Sequence, residues 1–178
     1  MDNIHDLRGE RENQLLQTTD TIGRIIGTAT RRQCHFEKGI PHLAFLALLY
    51  TEEDFIFLQK RSDKKSLWNK FWDASVVSHV LPGETVTSAA KRRGLEELGV
   101  EVEFKDLGAF YYFAKYGQSC ENEYCHVLVG KTDKVIHPNP VEITQTQQVK
   151  IEDLKKNIEA KPDQYTPWLK IALQKFKF

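Results

Sequence analysis

The segment HLAFLALLY, at positions 42–50, is a dense apolar run with the length of one β-strand. A short acidic turn follows it, and a second strand-like segment, DFIFLQKR, occupies positions 54–61. Two such runs joined by a short polar turn are typical of a β-hairpin, and their apolar content indicates a buried sheet. The first run is also far too short to cross a bilayer as a helix. This pair therefore predicts the centre of a globular fold.

Further strands and three helices are predicted around this hairpin. One helix is expected before Gly99, which can end it, and Thr85 or Thr87 can cap its start. The other two helices are expected at 151–160 and 166–176. Strands are expected at 21–28, 74–79, 100–104, 108–114 and 121–130. This order, mostly strands with three helices, predicts an α/β (α+β) fold, namely an α/β/α sandwich around a mixed β-sheet. We expect residues 1–20, which are polar, to be a flexible segment and residues 21–178 to form a single domain.

Charge and cysteine content restrict the partners and the compartment. The chain of 178 residues has 25 basic and 25 acidic side chains, so its charge predicts neither a nucleic-acid partner nor a membrane surface. An anionic ligand therefore needs a local basic cluster. Cys34, Cys120 and Cys125 are an odd set without a CxxC pair, which argues against a disulfide framework and favours a reducing cytoplasm. The charged N-terminus lacks the apolar core of a signal peptide. We expect a cytoplasmic monomer or homodimer.

The helix before Gly99 carries charges that allow two interpretations. Arg93 and Glu97 are four positions apart and share a face, with Arg92 and Glu96 beside them. An isolated KRRGLEEL segment is most often a solvated surface held by ion pairs. The alternative is a carboxylate that holds Mg²⁺ against a diphosphate, with an arginine beside it, because hard cations prefer oxygen ligands.

Three histidines and two glutamates form a second candidate group. His35 and His42 flank the segment FEKGIP, and His79 follows a predicted strand. Glu121 and Glu123 lie two positions apart on another predicted strand, so both carboxylates project from one face. Each residue alone is more often a solvated side chain. Together the five can make an octahedral site for Mn²⁺ or Mg²⁺, with Zn²⁺ as a third candidate.

Aligned on Gly99, residues 78–100 resemble the Nudix box, G-x5-E-x7-R-E-U-x-E-E-x-G-U, in which U is aliphatic. The matching positions are Glu84, Arg92, Glu96, Glu97, Gly99 and Val100. Ser78, Arg93 and Gly94 depart from the pattern. Arg93 stands where Nudix hydrolases have a glutamate that binds metal, and this departure speaks against ordinary pyrophosphate hydrolysis.

A longer resemblance runs from about residue 21 to the C-terminus. It rests on five motifs in order: HFEKGIPHLAF, QKRSDKKSLWNKFWDASVVSH, the degenerate box, ENEYC and YTPWLKIA. Together they resemble the type 1 isopentenyl-diphosphate Δ-isomerases, metal-dependent enzymes with a Nudix-type fold. The resemblance implies an enzyme that acts on a small isoprenoid diphosphate and converts isopentenyl to dimethylallyl diphosphate by protonation and deprotonation.

The resemblance also implies roles for individual residues. The implied metal ligands are His35, His42, His79, Glu121 and Glu123. Glu97 is implied to hold a second Mg²⁺ at the diphosphate. The implied diphosphate-binding residues are Arg31, Arg61, Lys65 and Arg93, whose side chains suit phosphate oxygens. Glu123, Trp168 and a tyrosine are implied to be catalytic, and the indole face of Trp168 suits a carbocation. The tyrosine is Tyr111 or Tyr112, and the segment YFA favours Tyr112.

The sequence departs from this family at one catalytic position. Val77 stands where these isomerases have a catalytic cysteine, and Ser78 follows it. Valine neither donates nor accepts a proton, and loss of a positioned acid–base group typically costs about 10²–10⁴ in rate. Three functions remain open: an isomerase in which Cys34, Cys125 or water supplies the missing group, a Nudix hydrolase of a prenyl or nucleoside diphosphate, and a protein that binds metal and diphosphate without turnover.

Overall fold

The computed structural model describes residues 11–52 and 54–178. Within these residues, nine strands pair into one mixed sheet. The strands are β1 Leu15–Thr19, β2 Ile25–Thr30, β3 His42–Glu52, β4 Phe55–Arg61, β5 Trp72–Asp73, β6 Val76–His79, β7 Phe104–Tyr116, β8 Ser119–Lys131 and β9 Ile143–Lys150. The helices are α1 Arg31–His35, α2 Val86–Leu98, α3 Ile151–Ala160 and α4 Pro167–Lys175, with a 3₁₀ helix at Pro162–Gln164.

Strand β3 is the centre of the sheet. Along one edge it pairs in parallel with β8, and along the other it pairs antiparallel with β1, β6 and β4. Successive residues of β3 point to opposite faces. Leu46 and Leu48 lie in one core, and Phe45 and Ala47 lie in the other. The apolar run is continuous because both faces of this strand are buried.

Helices cover the two faces of the sheet. Helix α2 packs Ala89 and Leu98 into the core that contains Phe45, whereas α3 and α4 pack Leu154 and Leu169 into the opposite core. The predicted α/β/α sandwich around a mixed sheet is therefore confirmed. In the part of the chain that the structure describes, no helix is long and apolar enough to cross a membrane.

The predicted hairpin and the end signals of α2 are also confirmed. Strands β3 and β4 pair antiparallel through Leu49 and Phe57. Thr85, rather than Thr87, caps α2, because its hydroxyl accepts the backbone N–H of Ser88. Gly99 ends the helix in the left-handed conformation, with φ 68°, which favours glycine.

The N-terminal boundary of the fold requires a correction. The segment that we expected to be flexible, residues 1–20, contains β1, whose residues pair with β2. Strand β1 is largely buried, since only Leu15 of its five residues is exposed. The fold therefore begins before residue 21, and residues 1–10 lie outside the described residues.

The predicted first strand also begins later than residue 21, because a turn occupies the preceding positions. The carboxylate of Asp20 accepts the backbone N–H groups of Ile22 and Arg24. Gly23 in this turn has φ 86°, and a Cβ there would lie 2.3 Å from the ring of Tyr124. The turn therefore requires glycine, and β2 begins only after it.

Two smaller differences lie nearer the site. The strand predicted at 100–104 is wrong, because β7 begins only at Phe104. Val100 and Val102 are nevertheless buried, in the core beneath α2. The short helix α1 was not predicted; it is capped by Thr30, and its five residues are too few to show a helical period.

Candidate active site

Five side chains with metal-binding atoms converge at one end of β3. His42 begins β3, and the parallel register places it opposite Glu123 of β8. His79 ends β6 on the other edge of β3, and His35 ends α1. Glu121 precedes Glu123 by two residues and so projects from the same face of β8. One ligand atom from each residue lies within 4.8 Å of all the others. The structure thus brings together the five residues that the sequence suggested.

Hydrogen bonds orient two of the imidazoles towards the centre of this cluster. His35 Nδ1 lies 2.7 Å from the carbonyl oxygen of Arg31, and His42 Nδ1 lies 2.9 Å from that of Ile40. When Nδ1 donates to a carbonyl, Nε2 keeps its lone pair for a metal ion. Among the described residues, His42 Nε2 and Glu121 Oε2 are buried and have no hydrogen-bond partner, although His42 Nε2 lies 3.5 Å from Glu123 Oε1 and Glu121 Oε2 lies 3.0 Å from His35 Nε2. A divalent cation would satisfy both atoms, so the donor set fits a metal.

The members of the cluster also shift one another's pKa. Burial has the largest effect on His42 and lowers its pKa, but the Cys34 side chain and Glu123 outweigh it and raise the pKa to about 9, so a metal ion would displace a proton from this imidazole. Burial and the charges of His35 and His42 hold the pKa of His79 well below its ordinary value. Burial raises the pKa of Glu123, yet its contacts with His42 leave that pKa lowered overall. Glu123 is therefore an anion at neutral pH, as a metal ligand or a base must be.

Tyr112, rather than Tyr111, reaches this glutamate. The buried phenol of Tyr112 donates to Oε2 of Glu123 at 2.5 Å. Burial and the charge of Glu123 raise the pKa of the phenol well above its ordinary value, so it remains a donor at neutral pH. Tyr111 points to the other face of β7, donates to Asn122 at 2.9 Å and is 38% exposed. The alternation of residues along β7 therefore selects Tyr112.

A cavity of about 30 Å³ lies beside the Tyr112–Glu123 pair. Its walls combine metal-binding, basic and aromatic side chains: Arg61, Lys65, Val77, Ser78, His79, Arg93, Tyr112, Glu121, Glu123 and Trp168. No cysteine is among these lining residues, and Cys34 and Cys125 are buried elsewhere. The volume holds roughly one or two water molecules, so a larger ligand enters only when lining side chains move outward.

The basic residues at the other end of the cavity are fully engaged. Arg93 is 1% exposed and donates to Glu97 at 2.9 Å, to Glu96 at 2.6 Å and to Glu142 at 3.1 Å. Lys65 forms an ion pair with Glu142 as well. An anionic ligand at this end would therefore take the place of a carboxylate that already contacts Lys65 and Arg93.

The two other arginines predicted to bind diphosphate differ in position. Arg61 lines the cavity, and its guanidinium donates to Asp73 and to the carbonyls of Leu67 and Trp68. Arg31 is not among the lining residues, and its Nη2 donates to the hydroxyl of Ser66 at 3.1 Å. Arg31 therefore contacts the loop after β4, and its charge also lowers the pKa of the cavity-lining His79.

Glu97, predicted to bind a second metal ion, is buried behind the cavity wall. Its Oε1 accepts from Arg93, and its Oε2 accepts from Nε2 of Gln59 at 3.1 Å. It is not among the lining residues. Its contacts place it in the ion network around Arg93, so binding a cation would require Arg93 to release it.

Two other acidic positions of the Nudix-like box have local structural roles. Both oxygens of Glu84 accept from Arg92, at 2.6 and 2.9 Å, and its Oε2 also accepts the backbone N–H of Leu81. This pair ties the loop after β6 to α2. Glu96 contacts both Arg92 and Arg93. The charged side chains of the box therefore form ion pairs with one another, and Arg93 stands at the position that the Nudix pattern gives to a glutamate.

Sequence reasoning missed three residues of this region: Gln59, Asp73 and Glu142. Asp73 accepts from the indole Nε1 of Trp168 at 2.7 Å. Only one sequence feature could have indicated Asp73: it is an acidic residue directly before the predicted strand ASVVSH. Glu142 lies in a loop before β9, where neither periodicity nor spacing marks it.

Comparisons with known proteins identify the domain and the relatives of this chain. The family model of the NUDIX domain matches residues 40–169. The isopentenyl-diphosphate Delta-isomerase of Nocardia farcinica is 33% identical over 161 residues, which covers 89% of this chain and 92% of the relative. The enzyme of that name from Haloarcula marismortui is 34% identical over 178 residues, covering 93% and 92%.

Solved structures support the same fold. The DR0079 protein of Deinococcus radiodurans superposes with a TM-score of 0.66 at 22% identity, covering 83% of this chain and 90% of that one. A MutT Nudix hydrolase from Burkholderia pseudomallei gives a TM-score of 0.62 at 21% identity, covering 77% and 98%. At 21–22% identity, the likeness to these solved structures concerns the fold alone. The isomerase relatives, at 33–34% identity, identify the family within that fold. The chain therefore belongs to the isopentenyl-diphosphate Δ-isomerase family, within the Nudix fold.

Proposed function

We propose that this protein is a cytoplasmic isopentenyl-diphosphate Δ-isomerase, which converts isopentenyl diphosphate into dimethylallyl diphosphate. The observation that carries the proposal is the buried Tyr112–Glu123 pair, which lines a cavity together with the indole of Trp168. Proton transfer and cation stabilisation are what this reaction needs. The two relatives described above carry the name of the same activity.

The basic end of the cavity would bind the diphosphate. Lys65 and Arg93 both line it, and Glu142 is the carboxylate that the diphosphate would replace. Arginine presents a planar fork to phosphate oxygens, and lysine adds a compact charge. Arg61 lines the same cavity but is already held by backbone carbonyls and Asp73, so it contributes charge more than new hydrogen bonds.

A divalent cation, Mg²⁺ or Mn²⁺, would be held by His35, His42, His79, Glu121 and Glu123. When bound, it supplies positive charge that fixes Glu123 and balances the carboxylates of the site. The two oriented imidazoles support this assignment, and so does Glu121 Oε2, which is buried and faces Nε2 of His35 at 3.0 Å.

The Tyr112–Glu123 pair would carry the proton chemistry. Because Glu123 is an anion, the phenol of Tyr112 gives its proton to the terminal alkene carbon, which leaves a tertiary cation and a phenolate beside Glu123. The indole face of Trp168 stabilises this cation through its quadrupole. The pair then takes a proton from the neighbouring CH₂ group, and the electrons of that C–H bond form the new double bond. Donor and acceptor return to their starting state, so no other reactant is consumed.

Val77 changes the stereochemistry that we expect for this reaction. It lines the cavity from β6, across β3 from Glu123 on β8, and offers no proton-transfer group. Both transfers then fall to the Tyr112–Glu123 pair, on one face of the substrate. In heavy water, some product molecules should carry the hydrogen that was removed from the neighbouring carbon.

An NMR time course tests the proposed activity. The purified protein is incubated in heavy water with isopentenyl diphosphate and Mg²⁺ or Mn²⁺, while carbon and phosphorus signals are followed together. Dimethylallyl diphosphate with both phosphates intact would support the isomerase, and mass spectrometry of this product measures returned hydrogen. Release of phosphate would instead support the hydrolase alternative. Metal-dependent binding without either product would support a binding protein.

The substitution Val77→Cys tests whether the missing group limits the rate. A thiol at this position adds a second acid–base group, and the expected gain in kcat is about tenfold or more. The proportion of returned hydrogen should fall at the same time, because removal then shifts to the other face. Val77→Ala is the matched control, since it opens space without adding an acid. An equal gain in both variants would contradict the proposal.

A further inference from the structure

One buried carboxylate has no part in the mechanism above. Asp73, at the end of β5, is 0% exposed. Its Oδ1 accepts the backbone N–H of Ala74 at 2.8 Å, the hydroxyl of Thr166 at 2.9 Å and the indole N–H of Trp168 at 2.7 Å. Its Oδ2 accepts from Nη1 of Arg61 at 3.2 Å. A buried ion pair is weak evidence for a contribution to stability, because desolvation is costly, so these contacts raise the question of function.

The bond to Trp168 fixes the direction of the indole. The Trp168 ring lines the cavity and lies edge-on to the ring of Trp68, with 5.2 Å between the centroids. Its centroid lies 6.2 Å from that of the Tyr112 ring. Rotation of the indole would break the 2.7 Å bond to Asp73. A hydrogen bond from the indole to an anion also moves electron density into the ring, which strengthens its attraction for a cation.

The bond to Arg61 has a second electrostatic effect. Cζ of Arg61 lies 5.5 Å from the centroid of the Trp168 ring. A positive charge there opposes a cation that forms over the same ring, because like charges repel strongly in a buried site. Asp73 offsets the charge of Arg61. The carbonyls of Leu67 and Trp68 hold the rest of the guanidinium, so Arg61 remains beside the ring.

We propose that Asp73 is a positioning residue, an inference that rests on the proposed isomerase function. It holds the indole of Trp168 against the cavity and offsets the charge of Arg61 beside it. Asp73 does not touch the substrate; it acts through Trp168. The proposal concerns the step that forms the cation, so it affects kcat rather than the binding of the diphosphate.

The charge of Asp73 changes within an accessible pH range. Burial has the largest effect on Asp73 and raises its pKa to about 6. Arg61 and the hydrogen bonds that the Asp73 carboxylate accepts act to lower this pKa. The titratable groups that face it are Arg61 from β4 and the Cys125 thiol from β8, whose own pKa burial raises well above its ordinary value. Thr166 and Trp168 do not titrate. Asp73 is therefore an anion above about pH 6 and neutral below.

Indole NMR tests the contact without any turnover. The full chain has three tryptophans, so a ¹⁵N-labelled sample gives three indole signals, and Trp168→Phe identifies one of them. At neutral pH we expect the Trp168 N–H signal to lie far downfield. As the pH falls, the signal should move upfield with a midpoint near pH 6. In Asp73→Asn the signal should lie upfield at every pH. A signal that responds neither to this substitution nor to pH would overturn the proposal.

Kinetics separate positioning from a merely structural role. Asp73→Asn keeps the size of the side chain but removes its charge, and we expect kcat to fall about tenfold or more while KM changes less than about twofold. Thr166→Val is the matched control, because it removes one hydrogen bond to the same Oδ1 without changing charge. It should lower the melting temperature and leave kcat within about twofold. Equal kcat in wild type and Asp73→Asn, or an equal loss in both variants, would overturn the proposal.

The indole NMR signal and kcat together distinguish a failure of the positioning role of Asp73 from a failure of the proposed isomerase function. A wild-type protein that makes no dimethylallyl diphosphate would remove the proposed function, whereas the indole signal would still show whether Asp73 holds Trp168. If Asp73→Asn does not fold, the pH titration of the wild-type signal and the pH dependence of its kcat decide the question. A kcat that does not fall below pH 6 would then count against the proposal.

Discussion

The two ends of the cavity differ in how their polar atoms are satisfied. At the histidine end, metal-binding atoms face one another: Nε2 of His35 lies 3.0 Å from Oε2 of Glu121, and Nε2 of His42 has no hydrogen-bond partner among the described residues. At the arginine end, Arg93 and Lys65 are paired with buried carboxylates. The first end is complete except for a cation, whereas the second must exchange a carboxylate for its ligand. Metal binding should therefore need little rearrangement, and diphosphate binding should need more.

The largest effect should come from Glu123, which belongs to the histidine end and also to the proton-transfer pair. Glu123→Gln removes a charged ligand and the base, so isomerisation should fall about 10⁴-fold. The NMR time course measures this loss. Glu103→Gln, at an exposed site, is the control and should keep full activity. A loss of less than about tenfold in Glu123→Gln would mean that another group transfers the proton.

The next largest effect should come from Arg93, the central cation of the arginine end. Arg93→Met leaves Glu97 and Glu142 buried without their cation, and we expect the free energy of unfolding to fall by about 3–5 kcal/mol. Urea denaturation measures it. Arg92→Met, one residue earlier on α2, should cost about 1 kcal/mol or less because its ion pairs are partly exposed. Similar losses in both variants would show that the network around Arg93 is not tightly packed.

Added metal should stabilise the histidine end without help from the other end. At about 100 times its Kd, Mn²⁺ should raise the free energy of unfolding by about 2.7 kcal/mol. His42→Ala should abolish most of this gain. His126→Ala is the control, because His126 contacts Asp106 outside the cluster. An unchanged metal response in His42→Ala would place the metal elsewhere.

The smallest effect concerns Glu142, which competes with the diphosphate. Glu142→Gln should tighten the binding of inorganic pyrophosphate about threefold to tenfold, since no charged partner must be displaced. Isothermal titration calorimetry measures this without turnover. Weaker binding in the variant would indicate that Glu142 helps to hold the ligand.

The same carboxylate should give stability a dependence on acid pH. Burial raises the pKa of Glu142, but Lys65 and Arg93 outweigh it and leave the pKa below 4.5. A group with a lowered pKa stabilises the fold above its ordinary pKa, and that contribution is lost as the pH falls through the lowered value. The wild type should therefore lose more stability than Glu142→Gln as the pH falls from about pH 5 through the lowered pKa of Glu142.

Sequence reasoning was most effective where a local pattern carries long-range information. The spacing of Glu121 and Glu123 places both carboxylates on one face of a strand, and the continuous apolar run of β3 indicates a strand buried on both faces. It could not find Glu142, because a loop residue acquires its partners only from tertiary packing. The assignment of Arg31 to the diphosphate stays a prediction; in the structure its Nη2 donates to the hydroxyl of Ser66.

The parallel pairing of β3 with β8 also bears on how the protein folds. It joins His42 to Glu123, residues far apart in sequence, and this pairing must form before the histidine end exists. Pairings of high contact order tend to form slowly, because a long loop must close first. A chain that has not yet formed this pairing lacks the complete ligand set. A bound ion would therefore slow unfolding more than it speeds folding, and metal retention would report that this long-range pairing is in place.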